Sequence, residues 1–258
     1  QGGELSGSID ESVRHAVTKF SNLHLVATKR SKKIVEQMGE NPKMVFNVGC
    51  PSIDIIKRIN FKQKLDLLKY KGGIGSLVDI EKPYYVFLIH PNTKKYFDNI
   101  RLINEMLLLA KNLNDQIIWL WPNNDAGADI ITKKIRSFRE KNKKLKINFY
   151  TNMVTEDYLK IIKNCKCLIG NSSSGIRESS FLKVPVVNVG DRQKYRERGD
   201  NIEDQIIDHK KIIKSIKKII NKKIKINKIY GDGNSSKKII QILKDTSLDI
   251  SKKFQLKT

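Results

Sequence analysis

From Tyr84 onward the chain alternates short, unbroken apolar runs with segments whose apolar residues recur every three to four positions. YYVFLIH (84–90), QIIWLW (116–121), KINFY (146–150), KCLIGN (166–171) and VPVVNVG (184–190) have the continuous hydrophobicity of strands buried on both faces. The stretches between them are amphipathic. Residues 98–111 place Ile100, Ile103, Met106, Leu107 and Ala110 on one helical face, and 126–141, 155–164 and 173–182 are expected helices too. Such alternation predicts a parallel sheet with helices on both sides, a doubly wound, Rossmann-like α/β domain.

The first 60 residues read as the end of another domain of this kind. A helix is expected over 9–20 with Ser8 as its cap, a strand over 23–28, a helix over 31–38 and a strand over 44–49. Residues 61–82 carry KYKGGIGS and no clear strand, which marks them as the link. The predicted organisation is therefore 1–60, a linker over 61–82, and a domain over 83–258 closed by a helix near 235–243 after the turn YGDGN.

Composition narrows the classes. Fifty Lys and Arg against 27 Asp and Glu give a formal charge of +23, which raises the question of a polyanion partner. The densest run, KKIIKSIKKIINKKIKINK (210–228), interleaves Lys with Ile, as expected for a helix with one apolar and one solvated face. With 7% aromatics and no stacking platform among the basic residues, no nucleic-acid partner is expected. Three cysteines do not make a disulfide scaffold and fit a reducing compartment. The longest apolar run, 84–89, is far short of the ~20 residues of a membrane span. The chain opens QGGELSGSIDES, without Met, basic flank or apolar stretch, and reads as a fragment of a longer soluble, cytoplasmic protein.

Ligands of doubly wound sheets bind at the carboxyl ends of the strands. There GNSSSGIRE (170–178) follows a strand and opens a helix, with small residues and the hydroxyls of Ser172, Ser173 and Ser174 suited to a phosphate. Glu178, about one turn into that helix, is placed to take a vicinal diol; a plain serine N-cap is the structural alternative. Asp125 in WPNNDAG and Asp191–Arg192 in VGDRQ end two further strands, and His90 ends a third, where an imidazole can serve as acid or base. GGELSGSIDESVRH (2–15) gathers Glu4, Asp10, Glu11, Arg14 and His15 around a glycine turn and a helix start. His15, His24 and His209 have weaker claims, Cys165 and Cys167 read as core, and no His or Cys pair has zinc spacing. No P-loop, complete GxGxxG or HExxH is present.

GGELSGSIDESVRHAVTKFSNLHLVAT, followed in order by GENP, VFNVGCPS, HPNT, PNNDAG, GNSSSGIRE, VPVVNVGDRQ and YGDGN, resembles the hydrolysing UDP-N-acetylglucosamine 2-epimerases of sialic-acid and related nonulosonate pathways. The resemblance implies a glycosyltransferase-B type architecture of two Rossmann-like domains, with most of the N-terminal one missing here. It implies a nucleotide-sugar substrate, elimination of UDP to a 2-acetamidoglucal, and hydration to N-acetylmannosamine. It implies no cofactor and no metal, and a homo-oligomer, dimer or tetramer. Matched by position, Asp10 falls on a catalytic carboxylate, His90 on the histidine of the HP motif, and Glu4 in the GGE turn close to the site. Ser172 and Ser173 fall on diphosphate ligands, Glu178 on the ribose ligand and Arg192 on a nucleotide-side arginine. Asn123, Asp125 and Arg177 complete the UDP side.

One position departs from the pattern. Several family members carry a catalytic glutamate just before the two glycines, where this chain has Gln1, and an amide cannot exchange a proton as a carboxylate does. Either the substrate differs, as in relatives resembling the UDP-diacetylbacillosamine 2-epimerases, or Glu4 or a residue outside this chain takes the role. A glycosyltransferase of the same fold would share the nucleotide half but has no reason to carry the GGE and IDESVRH block. A basic nucleic-acid-binding module and a non-catalytic UDP-binding scaffold are the readings from other classes.

Overall fold

A computed structural model describes residues 2–5, 10–70, 73–93, 96–247 and 252. Gln1, the expected cap Ser8 and Ile9 lie outside the described residues. Contacts divide the chain into two units, one of residues 1–59, 195–197 and 228 onward, the other of 60–194 and 198–227.

In the first unit, α1 (Asp10–Phe20), β1 (His24–Val26), α2 (Lys29–Gln37), β2 (Val45–Asn47) and α3 (Pro51–Arg58) follow in order. β1 and β2 pair in parallel with His24 opposite Val45, and Val26, Val35 and Val45 form a small core. Thr28 starts α2, its hydroxyl accepting the Ser31 N–H at 3.0 Å. The C-terminal helix (Ser235–Asp245) belongs with this unit by its contacts, although the sequence suggests it as the close of the other domain. The reason is local: Asp54 on α3 accepts the Ser235 and Ser236 N–H groups at 2.9 and 2.6 Å, satisfying donors at that helix's first turn.

The second unit runs β3 (Ile74–Gly75), β4 (Tyr84–Leu88), α4 (Tyr96–Asn112), β5 (Gln116–Leu120), α5 (Ala128–Lys141), β6 (Ile147–Tyr150), α6 (Thr155–Asn164), β7 (Cys167–Gly170), α7 (Glu178–Leu182), β8 (Val186–Val189), β9 (Ile202–Gln205) and α8 (His209–Ile219). Its sheet has the order β3-β6-β5-β4-β7-β8-β9, and every pairing is parallel except β3 against β6. Every residue of β4, β5, β6, β7 and β8 is buried, which is why these strands are continuously apolar in sequence. Trp119 lies between Phe87 and Phe149, ring centroids 5.0 and 5.6 Å away, at the centre of a core to which α4, α5 and α8 contribute. The doubly wound α/β class expected from the pattern is the one observed.

Three local expectations are corrected. The segment 61–82 supplies β3, whose two residues hydrogen-bond to the edge of β6. The expected helix over 173–182 is two pieces, a 3-10 turn (Ser173–Gly175) and α7, so Glu178 is the first residue of α7 and not one turn inside a helix. In the Lys/Ile run only 209–219 is helical; beyond it KKIKIN alternates with a period of two and forms no regular element. Within α8, Ile212, Ile216 and Ile219 are buried while Lys210, Lys211, Lys214, Lys217 and Lys218 are exposed.

From the central strand β4 the chain runs outward to β5 and β6 on one side and then crosses back to β7 on the other, so the loops after β4 and β7 part at the switch point of the sheet. Gly170 closes β7 there at φ +150°, and a Cβ on it would stand 1.9 Å from the Leu88 carbonyl oxygen. Only glycine lets the two strand ends approach this closely.

Candidate functional site

Four strand ends of the second unit converge on one set of polar groups. His90 follows β4, and its Nδ1 accepts the backbone N–H of Asn123, after β5, at 3.3 Å. Burial drives the His90 pKa down to about 4, with the Arg192 guanidinium adding to the effect and Asp125 opposing it. At neutral pH the ring is uncharged, and with Nδ1 accepting, its proton sits on Nε2. His90 therefore presents a hydrogen-bond donor rather than a lone pair on its free nitrogen.

Asp125 accepts from the Asn123 side chain at 2.7 Å and stands 3.7 Å from Arg192, which follows β8. Arg192 also donates to the Asn171 carbonyl at 3.3 Å. The structure thus brings His90, Asn123, Asp125 and Arg192 together, as their shared position at strand ends suggests. Asp191, beside Arg192, takes a 3.4 Å bond from Asn92, whose backbone is clamped by buried Asn99 through bonds of 2.7 and 3.1 Å.

After β7 the chain makes the serine turn. Ser172 accepts the Ser174 N–H at 3.4 Å, opening the 3-10 turn, and Ser173 and Ser174 are half-buried at its start. Behind the turn, Ser179 and Ser180 donate to the carbonyls of Gly175 and Ile176 at 2.5 and 2.7 Å, and fully buried Asn201 bonds both hydroxyls. Arg177 occupies the cap of α7, and Glu178 begins that helix. The Glu178 Oε2 is shielded from solvent and accepts no hydrogen bond among the described residues. A buried, unsatisfied carboxylate oxygen is costly to the protein alone, and its chemistry suits a ligand that brings hydroxyl donors.

The N-terminal residues occupy the first unit. Gly3 makes its turn at φ +71°, where a Cβ would stand 2.2 Å from the Ser31 carbonyl oxygen. Glu4 is buried and ion-paired to Arg196 at 3.2 Å. Asp10 is the first residue of α1 and is exposed, with the Glu11–His15 pair at 3.7 Å one turn on. His24 pairs instead with buried Glu40, which Lys19 and Lys252 also reach at 2.7 and 2.6 Å, a structural role. Cys165 and Cys167 are buried core residues. Among the described residues one cluster has metal-ligand types within reach of one another, Glu105, Asp208 and His209, but Glu105 is already taken by the backbone and ring N of His209 at 2.7 Å each.

Nothing in the sequence marks Arg196, Asn171 or Gln193. Arg196 is one of several cations in DRQKYRER, and nothing local marks the one that returns to Glu4. Asn171 lies inside GNSSSG, and its bonds to His90 join residues 81 positions apart, which no local pattern records.

Comparison with known proteins agrees with this architecture. The family model described as UDP-N-acetylglucosamine 2-epimerase matches residues 1–244. Among curated proteins, the UDP-N,N'-diacetylbacillosamine 2-epimerase (hydrolyzing) of Legionella pneumophila is 34% identical over 249 residues, 96% of this chain and 64% of its own length. The GDP/UDP-N,N'-diacetylbacillosamine 2-epimerase (hydrolyzing) of Campylobacter jejuni is 38% identical over 208 residues, 80% of this chain and 53% of its own length. This chain therefore spans between about half and two thirds of these relatives. The Methanocaldococcus jannaschii UDP-GlcNAc 2-epimerase, crystallised with UDP-GlcNAc and UDP, superposes with a TM-score of 0.74 at 18% identity, covering 94% of this chain and 67% of that one, a likeness of fold. No helix among the described residues is long and apolar enough to cross a membrane. With a family model matched over nearly its whole length and relatives above 30% identity, the chain belongs to the UDP-N-acetylglucosamine 2-epimerase family.

Proposed function

We propose that the whole protein is a hydrolysing 2-epimerase, converting UDP-N-acetylglucosamine to N-acetylmannosamine and UDP. The observation that carries the reading is the convergence of a neutral histidine, an arginine, a serine turn and a carboxylate with one shielded, unbonded oxygen at the switch point of one sheet. In this reading Ser172, Ser173 and Arg192, with Arg177, hold the diphosphate, and Glu178 accepts the ribose hydroxyls. Asn123 and Asp125 fix the ring of His90. The Nε2–H of His90 donates to the oxygen leaving C1, where negative charge develops. Asp10 and Glu4 are the proposed acid/base carboxylates.

The chemistry balances without a cofactor. A base takes the C2 proton, the C1–O bond breaks, and UDP departs with that electron pair, leaving the 2-acetamidoglucal. Water then adds its hydroxyl at C1 and a proton at C2 from the opposite face. Glu4 is buried and ion-paired to Arg196, whereas Asp10 stands exposed at the start of α1.

The second reading is a 2,4-diacetamido substrate, UDP-N,N'-diacetylbacillosamine, favoured by Gln1 and by the names of the two relatives above. Supplying each UDP-sugar in heavy water to the full-length protein and following products by proton NMR separates the two. The expected result is released UDP and a free sugar inverted and deuterated at C2, from one substrate in preference to the other. Absence of UDP binding would sink both readings.

A further inference from the structure

Asn171 lies between β7 and the serine turn and is 3% exposed. Its side chain accepts the His90 N–H on Oδ1 at 2.7 Å and donates from Nδ2 to the His90 carbonyl at 2.8 Å. Both polar ends of the amide are thus matched to the main chain of one residue, and turning the amide over would set donor against donor. The Asn171 N–H donates to the Leu88 carbonyl at 3.2 Å. Its own carbonyl accepts from Arg192 at 3.3 Å and from the buried Gln193 side chain at 2.9 Å. One residue therefore joins the loops after β4, β7 and β8, whose side chains form the candidate site.

We infer that Asn171 is a positioning residue: its amide fixes the main chain of His90, and its carbonyl fixes the Arg192 loop, so that the imidazole and the guanidinium face the serine turn in one register. The inference rests on the site reading above but concerns an amide whose two polar ends are both engaged by the His90 main chain. Main-chain clamping suits this task because it leaves the imidazole edge clear while removing freedom from the loop that carries it. The groups facing the His90 ring are Asn123 and Asp125 from the loop after β5 and Arg192 from the loop after β8, so a slip of either loop changes the surroundings of the ring.

Replacement of Asn171 by Asp gives a test with a built-in control. A protonated Asp carries one O–H donor and one acceptor and can make the same two bonds; the ionised form can only accept, and it faces the His90 carbonyl. In N171D, UDP affinity measured by calorimetry is expected to match wild type at acid pH and to fall about tenfold or more as the carboxylate ionises, the order of one lost buried hydrogen bond. Asn171→Ala is expected to lose that affinity at every pH. The chain has four histidines, so the His90 ring can be followed by NMR, and its titration is expected to move in both variants while that of His24 in the first unit stays put.

Unchanged His90 titration together with pH-independent UDP affinity in N171D would overturn the inference. Should the variants not fold, hydrogen exchange of the wild-type Asn171 side-chain amide decides: protection supports the clamp, and exchange at the rate of an exposed amide overturns it. Failure of the wild-type chain to bind UDP would instead overturn the site reading, which separates the two.

Discussion

The His90 ring is buried and the Glu178 Oε2 is shielded without a hydrogen bond among the described residues, and each has a measurable consequence. Burial, helped by Arg192, brings the His90 pKa from 6.5 to about 4. Between those values the unfolded chain binds a proton that the folded chain refuses, so stability falls as pH drops through the window and is fully present above it. His24, also lowered by burial, acts in the same direction, so the His90 share is read as the difference from a variant. Urea unfolding of wild type and His90→Gln at pH 7 and pH 4.5 is expected to show a smaller acid loss in the variant; equal losses would contradict a buried neutral ring. Glu178→Gln replaces one carboxylate acceptor by an amide, and UDP affinity is expected to fall about tenfold, measured by calorimetry.

Elements tell how much the chain declares about itself. The C-terminal helix depends on Asp54, one helix away in space and some 180 residues away in sequence. Burial would raise the Asp54 pKa, but the hydrogen bonds from Ser236 and Ser235 outweigh it and hold the carboxyl below 3.8. Its stabilisation is therefore present above that pH and lost as pH falls below it. Asp54→Ala is expected to cost about 2 kcal/mol at pH 7 and progressively less as the pH is lowered below 3.8, measured by urea unfolding. Nothing in PSIDIIKR announces this partnership. The buried strands were legible because burial on both faces writes itself as an unbroken apolar run, as in YYVFL. β9 was not: IEDQ lies at the sheet edge, half exposed, and its pairing with β8 depends on main-chain bonds that leave no trace in side-chain pattern. The 3-10 turn was missed for a related reason. GNSSSGIRE carries helix-start residues, but the hydroxyls of Ser179 and Ser180 bond back to the turn and delay the α-helix to Glu178. That His90, Asn123, Asp125 and Arg192 lie together was readable from their shared position at strand ends; the contacts of the Asn171 amide and the Arg196 guanidinium were not, because they exist only through distant partners.

The charge of +23 belongs to the molecule as a whole, and the structure bears on its meaning. In α8 the lysines face outward over a buried isoleucine stripe, so they form a solvated face. Binding to duplex DNA, followed by fluorescence anisotropy, is expected to be weak and to vanish between 50 and 200 mM salt, while UDP binding persists; sequence-selective binding that survives the salt would argue for a polyanion function. The division into two units has a further effect. The backbone passes from one to the other at 59/60, 194/195, 197/198 and 227/228. No single cut in the gene therefore separates them: a piece starting at residue 60 would keep the C-terminal helix but lose the aspartate that caps it, and would keep Arg196 without Glu4. Neither unit is encoded by one continuous stretch, so each can be inherited or expressed whole only together with the other.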